Sequence, residues 1–195
     1  MTALSSQNDS RKIPERLAFT LDNPVRRFLD PPERLIGKLA VNPDDTVLDF
    51  GCGPGYFLIP LAQVARRAIG VDVSPRMLEK ASRKAKKKGV SVELLQSDGT
   101  GIRLEDGSVD LILLNHVFHE VDDKPRVLGE FRRILKPLGR LAIVERTREP
   151  GRLMGNMGPP VVDEKRLIGE IQQAGFRFAE TIAHGNASIV ISQKA

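Results

Sequence analysis

Five short apolar runs end at about Phe50, Val73, Gln96, Leu114 and Glu145, and the segments between them repeat apolar residues at helical spacing. That alternation leaves few folds open. Strands joined through helices run parallel, and a parallel sheet has to be covered on both faces. The helices centre on Leu61, Ala81, Leu128 and Ile171, and the stripe Val127, Leu128, Phe131, Ile134, Leu135 shows the period clearly. The segment 56–67 reads as an amphipathic helix, and a later helix closes at Leu135-Lys136-Pro137-Leu138-Gly139, ahead of a fifth strand over 140–145. Asp163 reads as an N-cap, and Gly175 as the residue after the last helix. Residues 176–183 and 187–192 then form a hairpin across His184-Gly185-Asn186. The expectation is an α/β fold, doubly wound, with a mostly parallel seven-stranded sheet, an antiparallel C-terminal hairpin strand and helices on both faces.

The first run carries the chemistry. Val47-Leu48-Asp49-Phe50 stops in Gly51-Cys52-Gly53-Pro54-Gly55, where alternating glycines leave backbone with no side chains to block a ligand, at the entrance of a helix. A dinucleotide turn needs Gly or Ala at the end of G-x-G-x-x-G, but here that position is Tyr56, too bulky for close helix–strand packing. The dinucleotide reading fails. What remains, Asp49-x-Gly51-x-Gly53-x-Gly55, resembles the nucleotide-binding signature of the class I S-adenosylmethionine-dependent methyltransferases, which have a Rossmann-like sheet.

Further segments carry the same resemblance in order. The second run ends in Asp72, about twenty residues on, where a Rossmann-like fold places a carboxylate against the ribose hydroxyls. Ser74-Pro75 follows as an N-cap and first helical proline. The resemblance implies that Val73 lies on the adenine face and that Asp98, with Ser97 and Gly99 beside it, takes the adenine amino group while the Gly99 N–H meets the ring. It also implies that Asn115, or its carbonyl, meets the methionine amino group, and that Asp49 braces the turn and reaches that ammonium through water. Cys52 is a small filler beside the ligand. The cofactor implied is S-adenosyl-L-methionine, held by Asp49, Gly51, Cys52, Gly53, Gly55, Asp72, Val73, Ser97, Asp98, Gly99 and Asn115. The resemblance spans about residues 32–193 and is similar to the ubiquinone/menaquinone-biosynthesis type at Asn115-His116-Val117-Phe118-His119 and Leu135-Lys136-Pro137. One departure is Leu138, where the family has glycine. A changed turn on the side away from the ligand is expected there.

Methyl transfer needs a general base only when the acceptor's nucleophile carries a proton. His116 and His119, with Glu120, follow the fourth run at the carboxyl end of the sheet and are the candidate bases. Packing at a helix start and capping of a loop are their alternative roles. These three side chains have no further ligand cluster near them in sequence, so no metal site is expected.

At 195 residues the chain fits one domain with a sizeable core. No apolar run reaches the roughly twenty residues of a membrane span, and the polar N-terminus lacks a secretory h-region. A lone cysteine, Cys52, forms no internal disulfide, so a cytoplasmic setting is expected. The formal net charge of +5 owes much to Lys80, Arg83, Lys84, Lys86, Lys87 and Lys88 on one helix. Met77, Leu78, Ala81 and Ala85 form its opposite stripe, so these charges read as a solvated face, and no interleaved aromatics suggest nucleic acid.

Residues 1–30 form a separate N-terminal segment, partly disordered, with 19–29 as a lid, and 31–195 form the methyltransferase domain. The short insert over 146–162 leaves an open site, suited to an acceptor on a larger molecule or to a pocket completed in a homodimer. A small-molecule acceptor is the leading reading. RNA or protein methylation, or a cofactor-binding module without catalysis, are the alternatives.

Overall fold

The computed structural model describes residues 31–148 and 160–194. The expected alternation is present. In chain order the elements are α1 (Pro32–Leu39), β1 (Thr46–Phe50), α2 (Leu58–Val64), β2 (Arg67–Asp72), α3 (Pro75–Lys88), β3 (Glu93–Gln96) and β4 (Val109–Asn115). A single 3-10 turn (Phe118–Glu120) leads to α4 (Lys124–Ile134), β5 (Leu135–Arg146), α5 (Glu164–Gln173), β6 (Phe176–His184) and β7 (Ala187–Lys194). One seven-stranded sheet has the order β3-β2-β1-β4-β5-β7-β6. β7 is antiparallel to both neighbours, β5 and β6, and the other pairings are parallel.

Period-two alternation sends neighbouring side chains to opposite faces, and each face builds its own core. Leu48, Ile69, Ile112, Leu141 and Val190 pack with Val127 and Phe131 of α4 and with Leu167 and Ile171 of α5. Val47, Ala68, Leu111, Ala142 and Ile189 pack with Leu35 and Leu39 of α1, Leu58 and Leu61 of α2, and Leu78 and Ala81 of α3. The central strands are therefore apolar on both sides, and each fully buried Leu or Ile contributes roughly 1.5–3 kcal/mol. Phe131 meets the Phe50 ring edge-on at 5.0 Å between centroids, which ties α4 to the end of β1.

Local signals set most element ends. The Ser74 side chain accepts the Met77 N–H at the start of α3, and Gly89 closes that helix with φ +66°. Asp123 and Asp163 cap α4 and α5 by accepting the Arg126 and Arg166 N–H groups. On α3, Met77, Leu78, Ala81 and Ala85 are buried and the lysine-rich side faces outward.

Two boundaries differ from the sequence reading. The segment 56–67 is helical only over Leu58–Val64, because the glycine turn runs on through Tyr56 and Phe57 and Arg67 already pairs in β2. The fifth strand begins at Leu135, which pairs with Val109 before a register shift brings Arg140 opposite Leu111. Lys136 Nζ binds both Asp110 oxygens at 2.8 Å, and Asp110 Oδ2 also accepts the Thr46 N–H at 2.8 Å. This brace ties β1, β4 and β5 together at their amino ends, so the departure from the usual glycine turn is absorbed there. Leu138 itself is 86% exposed.

Candidate active site

The sheet order reverses between β1 and β4, and in open α/β sheets the crevice at the carboxyl ends of such strands receives the ligand. The residues singled out from sequence converge on this place. Gly51 and Cys52 donate their N–H groups to the Val71 carbonyl at 2.8 and 3.0 Å, folding the loop across the end of β2. The Gly53 N–H then donates to Asp72 Oδ2 at 2.8 Å, while Ser74 N–H donates to Oδ1 at 2.8 Å. Asp72 therefore locks the glycine loop and the start of α3 to each other, and burial raises its pKa above the ordinary carboxylate value.

Two glycines are required for different reasons. Gly51 has φ +71°, and a Cβ there would stand 2.6 Å from Val117 Cγ2, so the loop after β4 presses directly on it. Gly53 has φ +51° with nothing within 4 Å of the same position, which is the open cradle a ligand would enter.

Beneath the loop lies Asp49, 3% exposed. Burial first, then the charge of Asp72, push its pKa up to about 8 against the pull of the Leu58 N–H. Its Oδ2 is buried without a hydrogen-bond partner. An orphaned buried oxygen of this kind calls for a donor or cation from outside the protein. Cys52 is a filler, but of the core: its Sγ approaches the Gly70 backbone, its side chain clusters with Leu58 and Ala68, and burial pushes the thiol well above its usual range.

The remaining cofactor candidates lie along the same edge. Val73 is 52% exposed, as an apolar platform has to be. Asp98 is exposed, and the Thr100 N–H and hydroxyl, donating to its Oδ1 at 2.9 and 2.7 Å, hold its pKa below the ordinary value. The Gly99 N–H donates to Ser97 Oγ at 3.0 Å, so it can meet a ring only when that hydroxyl turns away. Asn115 ends β4 opposite Val144, half-buried beside the crevice.

The two histidines are brought to one carboxylate that the sequence reading did not single out. His116 adopts φ +56°, uncommon for a residue with a Cβ, and its N–H donates to the Val144 carbonyl at 2.9 Å. Its Nδ1 lies 3.8 Å from Glu145 Oε2, outside hydrogen-bond reach. His119 is closer: its backbone N–H donates to Glu145 Oε1 at 3.1 Å, and its Nδ1 lies 3.1 and 2.9 Å from the two oxygens. A glutamate at the end of an apolar strand was the only available signal for Glu145. Among the described residues, no group of three His, Cys, Asp or Glu side chains is placed to hold a metal ion.

A sheet of this order, a glycine loop locked by the aspartate ending β2, and a buried carboxylate under that loop define the S-adenosylmethionine-binding class of α/β proteins. The comparisons agree. Residues 48–143 match the family described as a methyltransferase domain. Over 101 residues, 51% of this chain and 46% of the relative, the sequence is 35% identical to a demethylmenaquinone methyltransferase from Thermus thermophilus. It is 30% identical over 158 residues, 77% of this chain and 52% of the relative, to an S-adenosyl-L-methionine-dependent Diels-Alderase from Talaromyces variabilis. The crystal structure of a SAM-dependent methyltransferase from Aquifex aeolicus superposes with a TM-score of 0.85 at 29% identity, covering 94% of this chain and all of that one. The chain belongs to the class I S-adenosylmethionine-dependent methyltransferases. It spans 33% to 65% of the length of the first curated relatives it matches.

Proposed function

We propose that this domain transfers a methyl group from S-adenosylmethionine to a small-molecule acceptor. The orphaned Asp49 Oδ2 beneath an open glycine cradle carries this reading most directly. Bound there, the cofactor supplies a methyl group on a cationic sulfonium and leaves as a neutral thioether. Asp72 would accept the ribose hydroxyls while keeping Gly53 and Ser74 in place. Val73 would cover one adenine face, with Asp98 and the Gly99 N–H at the ring edge. Asn115 would take the methionine ammonium, and Asp49 would reach it through water. The protein's remaining task is to hold the acceptor's nucleophile in line and keep water out. His116 and His119 stand at the crevice as proton acceptors for a protonated nucleophile.

The small-molecule reading is supported by the relative named for demethylmenaquinone. The α3 lysines face outward with no aromatic side chains interleaved among them in sequence, so the stacking platform of a single-strand binder is not built there. Among the described residues no helix is long and apolar enough to cross a membrane, and a cytoplasmic setting belongs to the same proposal. So does a homodimer that completes the pocket. The reading is tested by following S-adenosylhomocysteine formation against quinol, phenol, amine, arsenite and RNA acceptors. Turnover with a small molecule is expected. Turnover with RNA alone would overturn the acceptor class, and cofactor binding with no turnover across the panel would favour a binding module.

A further inference from the structure

Glu145 ends β5 with its side chain 0% exposed. A carboxylate so buried is costly unless it is paired and hydrogen-bonded. Among the described residues its partners are the His119 backbone N–H, His119 Nδ1 and, at 3.8 Å, His116 Nδ1. Burial drives its pKa upward, but the two imidazoles more than offset this and hold it down at about 2. At neutral pH Glu145 is therefore an anion, and an ionised carboxylate only accepts. Both of its oxygens lie within 3.1 Å of His119 Nδ1, so that nitrogen must carry the hydrogen. In the neutral ring the lone pair is then left on Nε2.

Nε2 stands 3.8 Å from Glu120 Oε1, too far for a hydrogen bond. His119 and Glu120 together form one wall of a cavity of about 720 Å³, whose apolar lining comes from Val121, Pro125, Leu128 and Ala174. That is the size of a small-molecule site.

We propose that Glu145 is a positioning residue that fixes His119 in its Nδ1–H tautomer, so that Nε2 accepts the proton of a phenol- or enol-type hydroxyl on an acceptor held in this cavity. The proposal rests on the methyltransferase reading and narrows its substrate class. In the step assigned to the protein, the acceptor O–H bond breaks, an Nε2–H bond forms and the electron pair stays on oxygen as the nucleophile. The imidazolium so formed is paired with the Glu145 anion, and its proton passes to solvent afterwards. A hydroxyl with a pKa near 10 is within reach of an imidazole, whereas an acceptor that is already an anion or a free lone pair would not use the dyad.

The tautomer is measurable in the protein alone, by ¹⁵N NMR of the His119 ring near neutral pH. Wild type is expected as Nδ1–H with Nε2 unprotonated, and Glu145→Gln is expected to shift the ring toward Nε2–H, since an amide fixes neither form. An Nε2–H ring in wild type, or an unchanged ratio in Glu145→Gln, overturns the proposal. Glu145→Asp, which keeps the charge, covers the case in which Glu145→Gln fails to fold, and it should retain Nδ1–H.

With phenolic acceptors, His119→Ala should lower kcat by roughly 10²–10⁴-fold and Glu145→Gln by at least about tenfold, with KM little changed. Full kcat in His119→Ala refutes the role. The acidic limb of the kcat–pH profile, where a general base takes up its proton and turnover falls, should be present in wild type, displaced in Glu145→Gln and absent in His119→Ala. That limb is read against the other charges around the cavity and the dyad: His116, Glu120, Asp122, Lys124, Arg166 and Glu170. Failure to bind S-adenosylmethionine would end the methyltransferase reading, while the tautomer still judges Glu145.

Discussion

Asp49→Asn should remove a pH dependence of stability that the buried carboxyl imposes on the fold. Asp49 is 3% exposed, and burial together with Asp72 lifts its pKa from 3.8 to about 8. The unfolded chain gives up this proton near pH 3.8, whereas the folded chain keeps it until about pH 8. The folded state is therefore least opposed below pH 3.8, and it loses stability progressively as pH rises toward 8. At about 1.36 kcal/mol per unit, the loss from this group is on the order of 4 kcal/mol between pH 4 and 7, and about 2–3 kcal/mol of it falls between pH 5 and 7. Asparagine has the same shape and no charge, so its curve lacks this slope. Urea unfolding of both proteins at pH 5, 6 and 7 should show the variant gaining on wild type by roughly 1.4 kcal/mol per unit. Curves that stay parallel within about 0.5 kcal/mol would refute the reasoning, because Asp49 would then ionise alike in both states.

Three other perturbations probe the frame around the site. Gly51→Ala places a Cβ 2.6 Å from Val117 at φ +71°, and thermal melts should show a loss of roughly 2–5 kcal/mol from strain and overpacking together. Val117→Ala in that background should recover the overpacking part, about 1 kcal/mol or more in a double-mutant cycle, and simple additivity would contradict the contact. Leu138→Gly alters an 86%-exposed side chain at the amino end of β5, so calorimetry should find cofactor affinity unchanged within about twofold. Glu145, depressed from 4.5 to about 2, adds stability that is fully present above about pH 4.5 and lost as pH falls to 2. Acid unfolding followed by circular dichroism should therefore show the gap between wild type and Glu145→Gln closing over that range.

Much of this architecture was legible because its causes are local. Gly51, Gly53 and Gly55 announced a turn, and Ser74-Pro75 and Asp163 announced helix starts, since each signal lies within a few residues of what it controls. The parallel sheet followed from alternation alone. Features that depend on register were not legible. Glu145 meets His119 across 26 residues only because Asn115 pairs with Val144 in the β4–β5 ladder. The pressure of Val117 on Gly51 is likewise set by where two loops meet, whereas the Gly99 N–H to Ser97 Oγ bond spans two residues and is as local as the helix caps. The helix expected over 56–67 is shorter than its apolar pattern, because Tyr56 and Phe57 fit a helical period while serving the turn. The N-terminal lid expected over 19–29, and most of the insert after β5, lie outside the described residues.

The central claim is that the glycine loop and Asp72 form a cofactor site, and titration calorimetry tests it with S-adenosylmethionine and S-adenosylhomocysteine against wild type and Asp72→Ala. Asp72 would give up both ribose contacts and its hold on Gly53 and Ser74 in the variant. At roughly 1.5–3 kcal/mol for each hydrogen bond to a charged group, wild type should bind both ligands and Asp72→Ala should bind at least about 100-fold more weakly. No binding to wild type, or equal affinities in the two proteins, would contradict the account.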